Sequence, residues 1–218
     1  MRFGVLRFPG SCDEIDAVRA CERVPGASAP LLWHGEADLQ GVDAVVVPGG
    51  FSYGDYLRVG AIARFSPIME SVVAFARAGG PVMGICNGFQ VLCEAGLLPG
   101  ALLPNVGLRF VCRQVNVEVL DADTPFTREC EVGELLSIPV KHTTGRYYAP
   151  PDVLDAVDVV LRYAHDGNPN GSTNDIAGVR NEAGNVLGLM PHPEHAVDPL
   201  TGSTDGLKLF ASLAHAHA

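Results

Sequence analysis

Residues 81–98, PVMGICNGFQVLCEAGLL, decide the fold of this 218-residue chain. A short apolar run at 81–86 leads into glycine-flanked Cys86 and then into a helix-like stretch at 88–98. Strand, sharp turn and helix in this order are typical of the βα units of a parallel sheet. Two further apolar runs, FGVLRF at 3–8 and AVVVP at 44–48, begin the same rhythm, and IMESVVAFARAG at 68–79 is another helix-like stretch. We therefore expect an α/β protein with a buried parallel sheet flanked by helices.

The second half predicts an antiparallel extension of this sheet. VCRQVNVEVLD at 111–121 alternates apolar and polar residues, and DIAGVRNEAGNVLGLM at 175–190 has the pattern of a hairpin with glycine in its turn. STDGLKLFASLAHAHA at 203–218 predicts a terminal helix that packs against the sheet. No repeat or low-complexity linker interrupts the chain, so residues 1–218 are expected to form one domain.

Charge and hydropathy exclude several classes of function. The formal net charge is −10 and the chain has only two lysines, so no basic stripe is available for nucleic acid. No run of about 20 apolar residues is long enough for a membrane helix, and the first residues, MRFGVLRFPGS, lack the pattern of a signal peptide. We expect a cytoplasmic protein that binds neither nucleic acid nor membrane.

Cys86 differs in its surroundings from the other five cysteines. None of the six forms a CxxC pair, which argues against zinc and against a disulfide framework. Gly84-Ile85-Cys86-Asn87-Gly88, however, has the form of a nucleophile elbow with cysteine in place of serine. The turn would place Cys86 at a helix N-terminus, where the helix dipole favours the thiolate. On this local pattern alone, an ordinary buried thiol remains an equally good interpretation.

Met190-Pro191-His192-Pro193-Glu194 is the second candidate motif. Each proline favours extended backbone in the residue before it, and side chains two apart in an extended chain share a face. His192 and Glu194 would then be base and orienting acid to a nucleophile, although a surface turn is the alternative.

The third candidate is Gly50, which follows an apolar strand. Its backbone N–H and that of Asn87 are candidates for an oxyanion hole, while an ordinary βα turn is the alternative. The chain has no GxxxxGK[ST] phosphate loop. His34, His142 and His165 suggest no metal site, and His215 and His217 fit a helix end better than metal ligands. We therefore expect no metal in this chain.

Taken together, these motifs resemble class I, or triad-type, glutamine amidotransferases, and within them the glutaminase subunits of phosphoribosylformylglycinamidine synthase. The resemblance implies a flavodoxin-like fold, Cys86 as nucleophile, His192 as base, Glu194 as its partner and Gln90 in the glutamine pocket. It is carried by FPGS at 8–11, PGGFSYGDYLRVGAIARFSPIM at 48–69, GICNGFQVLCEAGLLPGAL at 84–102, NPNGSTNDIAG at 168–178, GNVLGLMPHPE at 184–194 and GSTDGLKLF at 202–210.

The chain departs from the family pattern in three places. Cys12 follows Ser11 directly where the family commonly has an intervening asparagine, and His195 stands where it tends to have arginine. His142-Thr143-Thr144-Gly145 replaces a segment that usually reads HGEG or similar, which puts any role of a loop acid there in doubt. None of the three touches the predicted triad.

The resemblance also implies partners. Ammonia from glutamine would pass to a larger synthetase subunit, with a small accessory subunit in the same complex; ATP and magnesium would be used by the synthetase, and this chain would carry no cofactor. Phe51, Tyr53, Tyr56 and Arg58 would contact the synthetase or, alternatively, close the glutamine pocket. The competing functions are a DJ-1/PfpI-like cysteine hydrolase, which usually has histidine where this chain has Asn87, and a regulatory subunit without activity.

Overall fold

A computed structural model of the chain describes residues 1–164 and 167–215. The strands are β1 (Phe3–Arg7), β2 (Leu31–Trp33), β3 (Ala44–Val47), β4 (Val82–Ile85), β5 (Ala101–Pro104), β6 (Val111–Val119), β7 (Leu135–His142), β8 (Thr144–Tyr148), β9 (Asp158–Tyr163), β10 (Ile176–Arg180) and β11 (Val186–Leu189). The helices are α1 (Glu14–Glu22), α2 (Pro67–Arg77), α3 (Asn87–Glu94), α4 (Pro151–Leu154) and α5 (Leu207–His215).

Nine strands form one mixed sheet in the order β2-β1-β3-β4-β11-β10-β9-β6-β7. The first five strands in this order are parallel to one another. These strands are short apolar runs, and β1, β3, β4 and β11 are buried along nearly their whole length, as expected for a sheet covered on both faces. The predicted parallel sheet is confirmed.

The predicted antiparallel extension is also present. β10 and β11 form the expected hairpin, with Gly184 at a φ of +77° in its turn, and β9, β6 and β7 continue the sheet by antiparallel pairing. β5 and β8 form a separate two-stranded antiparallel sheet that the sequence analysis did not anticipate. The nine-stranded sheet is mixed because its last five strands, from β11 to β7 in the order given above, are joined by antiparallel pairs.

The helices pack on the sheet as the apolar pattern predicts. α3 contacts β3, β4 and β11, while α1 contacts β1 and α5. Leu209, Phe210 and Leu213 of α5 are fully buried. His215 pairs with Glu129 near the helix end, whereas His165 and His217 lie outside the described residues. None of the helices in the described part of the chain combines the length and the apolarity that crossing a bilayer requires.

Candidate active site

The predicted site residues meet at one edge of the parallel sheet. β1, β3, β4 and β11 are adjacent and parallel, so their carboxyl ends lie at the same edge. The segments that leave these four ends carry Asp13, Gly50, Cys86 and His192 respectively. In open α/β sheets, ligands bind outside the carboxyl ends of the strands, so this edge is the natural place for a site.

Cys86 stands on a strained turn between β4 and α3. Its φ of 51° and ψ of −103° are conformations that residues with a side chain rarely adopt. The turn is possible because its glycines allow close packing: a Cβ on Gly88 would lie 1.9 Å from the Val47 carbonyl oxygen, and one on Gly84 would lie 2.8 Å from the backbone of Gly88. The predicted elbow geometry is therefore present, with Cys86 only 5% exposed.

His192 and Glu194 are hydrogen-bonded in the buried end of the site. His192 Nδ1 lies 2.5 Å from Glu194 Oε1, and both side chains are sealed from solvent. The backbone that brings them together is not extended throughout, because residues Pro193–His195 form a 3-10 turn after a nearly extended His192. With Nδ1 engaged, Nε2 is the nitrogen left for Cys86, and it has no hydrogen-bond partner among the described residues.

The surroundings of His192 stabilise its protonated form. Burial by itself lowers the pKa of the imidazole, but the charges of Glu194 and Cys86, together with the hydrogen bond to Glu194, more than reverse this effect and raise the pKa to about 10. Two acidic groups on opposite nitrogens have this effect because each interacts more strongly with an imidazolium than with a neutral ring. The arrangement suits an imidazolium paired with a thiolate.

Sequence reasoning missed a third acid beside the ring, Asp13. Its Oδ2 lies 3.6 Å from His192 Nδ1, and its Oδ1 contacts the ammonium group of Lys141 and lies 3.2 Å from His195 Nε2. Gly49 leaves the room for this contact, since a Cβ there would come within 2.4 Å of Asp13 Oδ2 and 2.7 Å of His192 Cε1. The sequence does contain one signal for Asp13, which is its position: it lies in the segment that follows β1, as Gly50 lies in the segment that follows β3.

Asn87 and Gln90 connect the two walls of the pocket. Asn87 Oδ1 accepts from the backbone N–H of Ser52 at 3.1 Å, and Asn87 Nδ2 donates to Gln90 Oε1 at 2.9 Å. Gln90 Nε2 in turn donates to the Thr144 carbonyl at 2.5 Å. Gln90 does line the pocket, but both ends of its amide are already engaged, so its contribution is to hold the wall at Thr144 in place.

Gly50 and Asn87 present backbone N–H groups near Cys86. Gly50 lines the pocket together with Cys86. Its φ of +143° and the approach of a would-be Cβ to within 2.6 Å of the Cys12 nitrogen both require glycine. Asn87 opens α3, where the first N–H groups of a helix have no acceptor within it. Both N–H groups remain the predicted donors of an oxyanion hole.

The pocket encloses about 460 Å³, part of it open to solvent. Cys86, His192, Gly50 and Gln90 line it, together with the unanticipated residues Cys12, Asp13, Asp55, Phe110, Lys141 and Thr144.

Comparison with known proteins assigns the family. The model of the CobB/CobQ-like glutamine amidotransferase domain matches residues 1–208. The chain belongs to this glutamine amidotransferase family. Phosphoribosylformylglycinamidine synthase subunit PurQ of Rubrobacter xylanophilus is 61% identical over 98% of this chain and 97% of its own length. PurQ of Salinibacter ruber is 56% identical, covering 97% and 95%.

A solved structure agrees with these sequence relatives. A chain of the PurLQS structure from Thermotoga maritima is 45% identical, covers 100% of this chain and 99% of its own length, and superposes with a TM-score of 0.93. These relatives identify the group within the family, the PurQ-type glutamine amidotransferases, as the resemblance implied. They do not favour the DJ-1/PfpI-like hydrolase.

In this amidotransferase, His142 is a buried structural residue of the pocket wall. Its Nδ1 lies 3.1 Å from Asn105 Oδ1, and Asn170 Nδ2 lies 3.4 Å from its Nε2. Asn170 also donates to the Gly145 carbonyl at 2.8 Å, so the NPNGS loop holds the divergent 142–145 segment in place. Burial, with the nearby charge of His192, lowers the pKa of His142 to about 4, which keeps its ring neutral.

The amidotransferase also gathers four groups with the chemistry of metal ligands. One donor atom each from Asp13, His192, Glu194 and His195 lies within 4.8 Å of the others. Lys141 contributes a positive charge directly on Asp13, however, so this cluster already contains the cation that two buried carboxylates require. A triad with a supporting ion pair explains the four groups without a metal.

Proposed function

We propose that the chain is the glutaminase subunit of phosphoribosylformylglycinamidine synthase and that it hydrolyses glutamine to glutamate and ammonia. The observation that carries the proposal is the buried His192–Glu194 pair, with one ring nitrogen left for Cys86 at its strained elbow. Nucleophile, base and orienting acid in this order perform acyl transfer on unrelated folds.

In the proposed reaction, the Cys86 thiolate attacks the side-chain amide carbon of glutamine. The negative charge that develops on the amide oxygen is stabilised by the N–H groups of Gly50 and Asn87. The His192 imidazolium gives its proton to the leaving nitrogen, so ammonia departs and a glutamyl thioester remains on Cys86. His192 then takes a proton from water, which attacks the thioester and releases glutamate and the thiolate.

The pocket offers recognition for the rest of the glutamine molecule. Asp55 lines it, and the carboxylate oxygen Oδ1 of Asp55 is buried with no partner within the described ranges. Burial raises the pKa of this carboxyl. A carboxylate with one buried, unpartnered oxygen favours a cation, and the α-ammonium group of an amino acid supplies one. We propose that Asp55 binds this group and that Gln90 keeps the opposite wall in position.

The partner is proposed to be a larger synthetase subunit, with a small accessory subunit in the same complex. Exposed apolar side chains that line the pocket, or that lie within two residues of a lining residue in the chain, support a docking surface there, which we call the rim: Phe51, Tyr56, Leu57, Leu108 and Phe110. Large exposed apolar patches are uncommon on proteins that work alone. Residues 51–58 were expected either to contact the synthetase or to close the glutamine pocket. Phe51 is suited to both roles, because it is exposed and also lines the pocket. Tyr53 is suited to neither, because its hydroxyl group is hydrogen-bonded to His34.

The synthetase is proposed to use ATP and magnesium for the amidation of formylglycinamide ribonucleotide in purine biosynthesis. The present chain would act as one unit over residues 1–218, without cofactor, metal, nucleic acid or membrane. A cytoplasmic location is supported by six free cysteines, since disulfides are rare in reducing compartments.

Separating the two sources of ammonia tests this function. In the assembled complex, Cys86→Ala is expected to abolish glutamine-dependent amidation of the ribonucleotide and to leave amidation with added ammonium salt unchanged. Cys93→Ala is the matched control, because Cys93 lies about two turns further along α3 and its thiol donates to the Pro99 carbonyl. Loss of both activities from an intact Cys86→Ala complex would show that Cys86 does something other than release ammonia.

A further inference from the structure

Asp13 contacts the triad without belonging to it. Its carboxylate is buried, and it joins the ring of His192 to the ammonium group of Lys141. Asp13 lies after β1, His192 lies after β11, and Lys141 lies on β7. The contact therefore joins three segments that are far apart in the sequence. Such a buried charge persists only where its partners offset the cost of desolvation.

Lys141 is also close to the nucleophile. Its carbonyl oxygen lies 4.0 Å from Cys86 Sγ, and the charges of Asp13, Glu194 and Cys86 together outweigh burial and raise the pKa of its ammonium group. The Asp13 carboxylate thus holds a permanent cation within electrostatic range of the Cys86–His192 pair. His195, at 3.2 Å from the same oxygen of Asp13, is the other neighbour on that side.

We infer that Asp13 is a positioning residue for glutamine hydrolysis, and that it and Lys141 form a charge pair that sets the pH range in which the Cys86–His192 ion pair exists. The inference rests on the proposed glutaminase function. Glu194 orients His192 directly, whereas Asp13 acts at longer range and through Lys141.

The two members of the pair have opposite electrostatic effects. The active form is a thiolate beside an imidazolium, so activity rises as the thiol ionises and falls as the imidazolium deprotonates. A negative charge nearby raises both pKa values and a positive charge lowers both. Activity plotted against pH therefore gives a bell-shaped curve, here called the bell. Asp13→Asn removes a negative charge, so the bell should move to lower pH. Lys141→Met removes a positive charge, so the bell should move to higher pH.

The ionisable groups that face Asp13 are those of His192, Glu194 and His195 from the β11 end, Lys141 from β7, and Cys12 from its own segment. All except the substituted group remain in each variant. The expected displacement is therefore that of one charge, about one pH unit in each direction.

The experiment measures kcat/KM for glutamine hydrolysis against pH, with the chain assembled with its synthetase partner. Asp13→Asn should shift the bell to lower pH by about one unit, Lys141→Met should shift it to higher pH by about one unit, and the double variant should return it to within a few tenths of a unit of the wild-type position. Glu14→Gln is the control for loss of a buried acid from the same segment, because Glu14 pairs with Arg7 and does not line the pocket. It should leave the bell in place.

Two outcomes would overturn the inference: shifts of the same sign in both single variants, or loss of kcat with no shift in either. Those results would give Asp13 a purely structural role. If Asp13→Asn does not assemble, the Lys141→Met shift decides by its sign alone. A wild-type protein without glutaminase activity would instead contradict the proposed function, so the two failures can be told apart.

Discussion

One carboxylate oxygen of Glu194 accepts a hydrogen bond from His192 Nδ1 at 2.5 Å, and the other is buried without a partner in the described part of the chain. Glu194 therefore orients the imidazole ring of His192 and stabilises its protonated form. His192→Ala should therefore lower kcat for glutamine hydrolysis by about 10⁴-fold or more, and Glu194→Gln by less. Steady-state kinetics of both variants check this order. Near-normal turnover in His192→Ala would exclude it as the base.

The six thiols should differ sharply toward a glutamine-like electrophile such as a diazo-ketone analogue. Burial raises the pKa of Cys21 and Cys93 well above the ordinary range and that of Cys130 to about 11, which keeps all three protonated. Cys12 is the informative competitor, because it lines the same pocket as Cys86 but has its pKa raised by burial and by Asp13.

Peptide mapping after brief exposure to this reagent is expected to find the label on Cys86. Excess glutamine should protect it, since substrate and reagent would occupy the same pocket. Label on Cys12 that glutamine does not block would point to simple thiol accessibility rather than to an activated nucleophile.

Asp55 provides a prediction about binding rather than chemistry. Asp55→Asn should raise KM for glutamine by about 10-fold or more while changing kcat little, because the lost contact is made equally in the ground state and the transition state. Asp152→Asn, an exposed acid outside this pocket, is the control for a change of charge alone. A lowered kcat at unchanged KM would argue against the ammonium contact.

The buried imidazole of His142 predicts a pH-dependent stability. Its pKa of about 4 in the folded chain compares with about 6.5 in the unfolded chain, so the unfolded state takes up the proton first. The contribution is therefore fully present above about pH 6.5 and is lost as the pH falls toward 4, amounting to about 3 kcal/mol in all. His192 acts in the other window, because its raised pKa stabilises the folded state below about pH 6.5 and loses this effect as the pH rises toward 10.

Urea unfolding at pH 7.5 and at pH 5 measures the first effect. His142→Gln has no titrating group at this position, so its free energy of unfolding should fall less between the two pH values than that of the wild type. Only the difference between the two pH values matters, so a constant loss of stability in the variant is allowed. Equal falls in both proteins would mean that His142 is charged in the folded chain.

The rim predicts where the partner binds. Leu108 is 77% exposed, and placing a charge there should weaken association with the synthetase while leaving the fold unchanged. Leu108→Glu is compared with Leu200→Glu, because Leu200 is even more exposed but lies outside the pocket and its rim. Co-purification with the synthetase should be lost only in the first. Equal binding by both variants would locate the partner elsewhere.

Local patterns in the sequence were sufficient for the parallel strands, the hairpin and the elbow, because each depends on neighbouring residues. β5 and β8 were not anticipated, since short half-buried runs such as ALLP carry little periodicity. Asp13 was missed for a different reason: its partners Lys141 and His195 come from distant parts of the chain, and no local pattern encodes such a contact. His195 was noticed only as a departure from the family pattern.

The left-handed backbone of Cys86 has a consequence beyond reactivity. A residue with a side chain in this conformation costs the folded state on the order of 1–3 kcal/mol, which the packing of Gly84 and Gly88 against their neighbours must compensate. Stability of the folded state and catalytic activity therefore favour different residues at position 86. Selection for heat resistance alone would favour glycine at 86, and the most robust version of this protein would be an inert one.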